Sequence, residues 1–245
     1  MKKPPTLHLI VLALALFLST KGAGANDIEL SYSQVPLNYE MPDQHSVGML
    51  EYRGGLSISA RDSQFGGLSS LLVSADGKLL LAASDRGVWF SAALDYGDDG
   101  NLVGLSSARL APITGSDGKP LTGRYRDAEG LARADDGTVV LAFEQHHRIL
   151  RFATSGLFDA DHLSAVKPDL VAAPAELAEF NSNAAMEALV TLADGGLLSS
   201  PKASTMTGRA NRDGFCAKAR HPHGWNTSGR PDFARPAPRV SLMAT

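Results

Sequence analysis

Three stretches of the chain share one pattern, apolar runs on either side of an Asp-Gly pair. Gly67-Leu68-Ser69-Ser70-Leu71-Leu72-Val73-Ser74-Ala75-Asp76-Gly77 leads into Lys78-Leu79-Leu80-Leu81. Asp127-Ala128-Glu129-Gly130-Leu131-Ala132-Arg133-Ala134-Asp135-Asp136-Gly137 leads into Thr138-Val139-Val140-Leu141. Met186-Glu187-Ala188-Leu189-Val190-Thr191-Leu192-Ala193-Asp194-Gly195 leads into Gly196-Leu197-Leu198. Asp-Gly between apolar runs predicts a two-residue type I′ turn, so each stretch reads as strand, tight turn, strand. The pairs fall 60 and 58 residues apart, a near-constant period. A hairpin that recurs in this way predicts the blades of a β-propeller, because each small sheet buries its faces only against its neighbours. A β-sandwich also accommodates three hairpins. Agreement of the flanking residues as well as the turns favours the propeller. Asp95–Gly104 and Thr114–Gly123 are glycine-rich and read as loops or further turns.

The two ends depart from this pattern. Met1-Lys2-Lys3, ten unbroken apolar residues from Leu9 to Leu18, and Ala23-Gly24-Ala25 form a secretory leader, with cleavage expected before Asn26. The apolar run is too short to span a bilayer, and Lys21 follows it closely. At the other end the third repeat breaks off, with Pro201 and Lys202 where a strand and a counterpart of Glu144 are expected. Val, Ile, Leu and Phe supply 46 of 174 residues in 26–199 but 4 of 46 in 200–245, too few to offset the entropy of ordering that segment. The expected organisation is a signal peptide at 1–25, a partial propeller at 26–199 and a low-order basic tail at 200–245. Two readings of the tail stay open: an out-of-frame continuation, or a natural tail for an acidic partner. Closed propellers use about four to eight blades. The expected fold is therefore all-β, an unclosed partial propeller of about three antiparallel blades.

The formal charge of −3 conceals a division: +3 in residues 1–25, −12 in 26–199 and +6 in 200–245. The acidic core disfavours nucleic-acid binding, which needs a basic face to neutralise phosphates. A single cysteine, Cys216, excludes an internal disulfide and a cysteine zinc cage.

Chemistry is expected where the hairpins end. Seven residues before each turn aspartate stand Ser69, Glu129 and Glu187; Glu144 follows the second turn by eight residues and Asp85 the first by nine. An antiparallel hairpin brings those positions to one edge, so blades packed about one axis gather Asp85, Glu129, Glu144 and Glu187 on one rim. Carboxylates held close need a proton, a cation or a cationic ligand. An all-oxygen donor set suits Ca²⁺ better than zinc. The alternative is that strand ends expose acids to water. Arg86, Arg124 and Arg126 lie near the same edge, able to receive a phosphate or carboxylate or to pair with the acids.

Other motifs are weak. Asp95–Ser106 opens like a calcium-binding EF-hand loop but has Gly97 at its third position and Ser106 at its twelfth. Ser116-Asp117-Gly118-Lys119 lacks the helix that acyl-enzyme chemistry needs. His146-His147 alternate faces at a strand end and read as surface.

Together these residues resemble the secreted bacterial phytase-like domain family, esterase-like activity of phytase. The matching pieces are Gly54-Gly55-Leu56-Ser57, Gly67-Leu68-Ser69-Ser70-Leu71, Ala83-Ser84-Asp85-Arg86-Gly87, Asp127-Ala128-Glu129-Gly130-Leu131-Ala132, Phe143-Glu144 with Arg148-Ile149, and Met186-Glu187-Ala188-Leu189, over roughly residues 48–198. The resemblance implies a propeller-like fold, export, and hydrolysis of a phosphate or carboxylic ester by a protein truncated as encoded. Carried over residue by residue, Asp85, Glu129, Glu144 and Glu187 are the pattern's acids. Metal ligands are expected among those four and catalytic groups among Glu129, Glu144 and Arg86. The small-molecule ester or phosphate is the expected partner, with no membrane association after leader cleavage. A non-enzymatic propeller that binds a ligand or protein is the other class, favoured by the lack of a recognisable nucleophile–base pair.

Overall fold

The computed structural model describes residues 24–134, 136–153, 155–171, 183 and 186–200; nearly all of the leader and of the basic tail, with Pro201, Lys202 and Cys216, lies outside the described residues. The elements in chain order are almost all strands: β1 (Asn26–Asp27), β2 (Leu30–Gln34), β3 (Ser46–Val47), β4 (Leu50–Glu51), β5 (Leu56–Ala60), β6 (Leu68–Val73), β7 (Leu79–Ser84), β8 (Val88–Tyr96), β9 (Leu102–Pro112), β10 (Ala128–Arg133), β11 (Val139–Phe143), β12 (Arg148–Phe152), β13 (Asp169–Val171), β14 (Ala188–Thr191) and β15 (Leu197–Ser200). A 3-10 turn at Gly123–Tyr125 and one short helix, α1 (Ala160–Ala165), interrupt them.

Strands β6 to β9 form an antiparallel meander extended at its outer edge by β1, in the order β1-β9-β8-β7-β6. Strands β10 to β13 form a second meander, and β14 pairs with β15 in a third sheet. The strands that precede the three Asp-Gly pairs lie together, with β10 packed against both β6 and β14. Each sheet therefore begins at the inside and works outward, and the three stack face to face. This is an all-β partial propeller of antiparallel blades, and among the described residues the ring does not close.

Alternation along the strands builds the core between blades. On β7, Leu81 and Ala83 face the second blade, while Ala82 faces the other way. On β11, Val139, Leu141 and Phe143 meet the first blade, and Val140 and Ala142 meet the third. A strand covered on both faces reads as an unbroken apolar run, which is the sequence of β11. Between the first and second blades Trp89 stacks edge-on against Phe152, ring centroids 5.1 Å apart. Ala160 and Leu163 of α1 close the outer end of that layer. The far face of the first blade is covered by a two-stranded ribbon of β2 and β5, whose Leu30, Leu56 and Ile58 pack on Phe90 and Leu110. That ribbon has no counterpart in the repeat.

The turns differ from the sequence expectation. Only the glycine of each Asp-Gly pair has positive φ: Gly77 at 73°, Gly137 at 80° and Gly195 at 75°. A type I′ turn needs both central residues there. These loops are longer: each glycine N–H donates to the carbonyl three residues back, Ser74, Ala134 or Leu192, and the N–H of that residue donates across to Leu79 O in the first turn, one residue further on than Thr138 O and Gly196 O in the other two. The aspartate instead accepts a hydrogen bond from the backbone two residues on: Asp76 from Lys78, Asp136 from Thr138, Asp194 from Gly196. Asp and Gly thus have separate tasks in the turn, and an Asx bond replaces a second left-handed residue.

Candidate functional site

Strand β10 carries a bulge close to its start. Ala128 opposes Phe143 and Leu131 opposes Leu141, so Glu129 and Gly130 together face a single partner residue. The first blade has the same irregularity between Leu68 and Ser70, where Ser69 is the extra residue. Bulges re-aim side chains and end regular pairing. Here they turn the residue seven before the turn aspartate toward the rim in the first two blades. In the first blade that residue is Ser69, whose hydroxyl donates to Ala128 O at 2.6 Å and ties the first blade to the second. In the second it is Glu129.

Glu129 is half-buried and meets Glu144 and Asp127, the three offering carboxylate oxygens within 4.8 Å of one another. Glu144 is 1% exposed. Its N–H donates to Asp127 O at 2.9 Å, which fixes the end of β11 against the residue preceding β10. Gln145 adopts positive φ, 50°, and its amide donates to Asp127 Oδ2 at 2.6 Å. Glu129 is raised to about 7, first by burial and then by Glu144, Glu187, Asp127 and Asp85. Of the four acids singled out by spacing, Glu129 and Glu144 meet directly, together with Asp127, while Asp85 and Glu187 of the neighbouring blades are near enough to act on Glu129 by their charge. Asp127 was not among the four. It stands two residues before Glu129, and positions i and i+2 share a face of a strand, which is the signal that points to it.

Asp85 is seated by a glycine. Its N–H donates to Gly67 O at 2.9 Å, and a Cβ on Gly67 would lie 1.9 Å from Asp85 Oδ1. Only glycine leaves room for that carboxylate, and Gly67 also has φ of 60°. Asp85, Arg86, Gly123, Arg126, Asp127 and Gln145 line an open cleft of about 460 Å³ beside the cluster. Arg86 Nη1 donates to Ser63 O at 2.8 Å and Phe65 O at 2.7 Å, so this arginine also fastens the loop before β6. Arg124 Nη2 donates to Gln145 O at 3.1 Å. A larger cleft of about 560 Å³ on the far side of the 123–126 turn contains none of the converging acids. His146 and His147 open onto that far side; His146 is exposed and stacks edge-on with Tyr125.

The donor set suits a hard cation. Asp127, Glu129 and Glu144 offer only oxygens, and Glu129 is shifted upward first by burial and then by its carboxylate neighbours, whose charge a bound cation would offset. These residues fit a divalent metal and would hold it by their carboxylates.

Blades stacked face to face, with acids from successive blades toward one rim, define an all-β partial propeller with a candidate cation site. The chain belongs to the phytase-like family, described as esterase-like activity of phytase, whose family model matches residues 63–222. The match contains every converging acid and continues past the described residues into the basic segment. No curated protein and no solved structure matches the chain. No helix among the described residues is long and apolar enough to cross a membrane.

Proposed function

We propose that the chain is a hydrolase of a phosphate or carboxylic ester, acting at the rim where Asp127, Glu129 and Glu144 meet, flanked by Asp85 and Glu187. The observation that carries this reading is the meeting of Asp127, Glu129 and Glu144, whose carboxylate oxygens lie within 4.8 Å of one another beside the cleft lined by Arg86 and Arg126. Family membership supports the hydrolytic class. Ca²⁺ is the proposed cation, held by Asp127, Glu129 and Glu144, with Asp85 and Glu187 completing the negative field. When bound it supplies Lewis-acid polarisation of the ester oxygen. The protein's own groups do the rest. Glu144, buried and backbone-anchored, fixes the geometry of the cluster. A carboxylate oxygen of the cluster accepts the proton of the attacking water. Arg86, Arg124 and Arg126 provide positive charge for the oxyanion that develops on the leaving side.

The test is turnover of 4-nitrophenyl phosphate and of 4-nitrophenyl acetate by the full chain, in Ca²⁺ and in EDTA. Turnover of one ester is expected in Ca²⁺, with Glu129→Gln and Glu144→Gln lowering kcat by about a hundredfold or more. Unchanged rates in both variants would remove this site. Calcium binding without turnover of either ester would replace the hydrolase by a ligand-binding propeller. We further propose export to the periplasm or beyond, with Asn26 as the mature N-terminus. Mass spectrometry of the secreted chain tests this, and a retained Met1 in exported protein would contradict it.

A further inference from the structure

Two arginines, Arg86 and Arg126, line the cleft, a third, Arg124, bonds its rim residue Gln145, and their surroundings differ. Arg86 holds two loop carbonyls, Ser63 O and Phe65 O, with one Nη. Arg124 is engaged by Gln145 O. The guanidinium of Arg126 makes no hydrogen bond or ion pair to any described residue, although Asp85 and Asp127 line the same cleft. Its stem is nevertheless fixed. Gly87, at φ of 79°, leaves so little space that a Cβ there would stand 2.7 Å from Arg126 Cβ. Its backbone N–H donates to Gly123 O, closing the 3-10 turn. Arg126 thus combines an anchored stem with an exposed head that no described group satisfies, one residue before the acid cluster begins.

We propose that Arg126 is the specificity-determining residue of this cleft, reading the oxyanion group of the substrate. The inference rests on the hydrolase reading for what becomes of that group, and on Arg126 alone for its recognition. An oxyanion beside five carboxylates is repelled unless positive charge meets it. A planar guanidinium offers two parallel N–H donors matched to a phosphoryl or a carboxylate, which a lysine ammonium cannot reproduce. A neutral carboxylic ester offers Arg126 no anionic oxygen in the ground state, so Arg126 adds little to its binding.

The experiment is calorimetric titration of the full chain, loaded with Ca²⁺, with inorganic phosphate in one arm and acetate in the other. Arg126→Gln is expected to weaken the bound anion roughly 10- to 100-fold, the effect of losing hydrogen bonds to a charged group, while the Tm stays close to that of the parent chain. Arg126→Lys should fall between the two. Arg86→Gln is expected instead to lower the Tm by releasing the Ser63–Phe65 loop, with a smaller effect on the anion. The arm that shows Arg126-dependent binding identifies the group read, phosphoryl or carboxylate. Parent-like anion affinity in Arg126→Gln, a larger loss in Arg86→Gln, or no binding of either anion to the parent chain would overturn the proposal. Arg126-dependent binding without turnover of any ester would leave the proposal standing and remove the hydrolase.

Discussion

Glu129 lies within reach of the charge of four other carboxylates, and its ionisation is linked to stability. In the fold the metal-free side chain titrates near 7, against an ordinary value of 4.5. Between those values the folded chain binds more protons than the unfolded one, so stability from this group is fully present below pH 4.5 and lost as the pH rises through 7. In EDTA the Tm is expected to fall from pH 5 to pH 8, and Glu129→Gln should flatten that decline. Thermal melts at successive pH values measure it, and an equal slope in the variant would refute the assignment. The sequence already showed Glu129, Glu144, Glu187 and Asp85, because equal distance from a turn fixes which edge a strand residue reaches. It did not show what Arg86 holds. The carbonyls of Ser63 and Phe65 are backbone atoms of an irregular loop, and no residue pattern encodes their direction.

At the scale of elements, the hairpins were legible and their turn geometry was not. Asp-Gly marks where the chain reverses, but both a type I′ turn and a longer Asx-closed loop use those two residues. Strand β11 was legible as a buried run, whereas β2 and β5 lack the repeat and become a covering layer only through long-range packing. Contact between blades also depends on a position that sequence leaves ambiguous. A Cβ on Gly130 would lie 2.8 Å from Leu189 Cβ and 3.0 Å from Leu189 N, so β10 and β14 approach closely only because residue 130 has no side chain. Gly130→Ala is expected to push the third blade outward and cost roughly 1–3 kcal/mol, as overpacking of a core does. Urea unfolding followed by circular dichroism should show a lower midpoint with a nearly unchanged slope. A midpoint equal to that of the parent chain would mean that the blades can separate at no cost.

At the scale of the molecule, the acid rim and the blade stacking oppose each other. Apolar layers draw three blades together, and the same geometry crowds Asp127, Glu129 and Glu144 of the second blade and brings Asp85 of the first and Glu187 of the third near enough to add to the charge on Glu129. Metal-free, that repulsion works against the packing. A cation bound only by the folded arrangement reverses the balance, because a ligand that binds the native state alone stabilises it by RT ln(1 + [L]/Kd), about 2.7 kcal/mol at a hundredfold excess over Kd. For a chain of this size that corresponds to a rise in Tm of roughly 5–10 °C. Ca²⁺ should produce it more effectively than Mg²⁺, which gives up its own waters reluctantly and accepts less irregular oxygen geometry. Glu144→Gln removes a buried charge from the cluster, so its metal-free form should melt no lower than the parent chain by reason of charge, yet lose most of the calcium increment. Differential scanning calorimetry of both proteins in EDTA, Ca²⁺ and Mg²⁺ separates the two effects. An equal calcium increment in Glu144→Gln would place the stabilising ion elsewhere on the acidic surface and detach it from the rim that joins the blades.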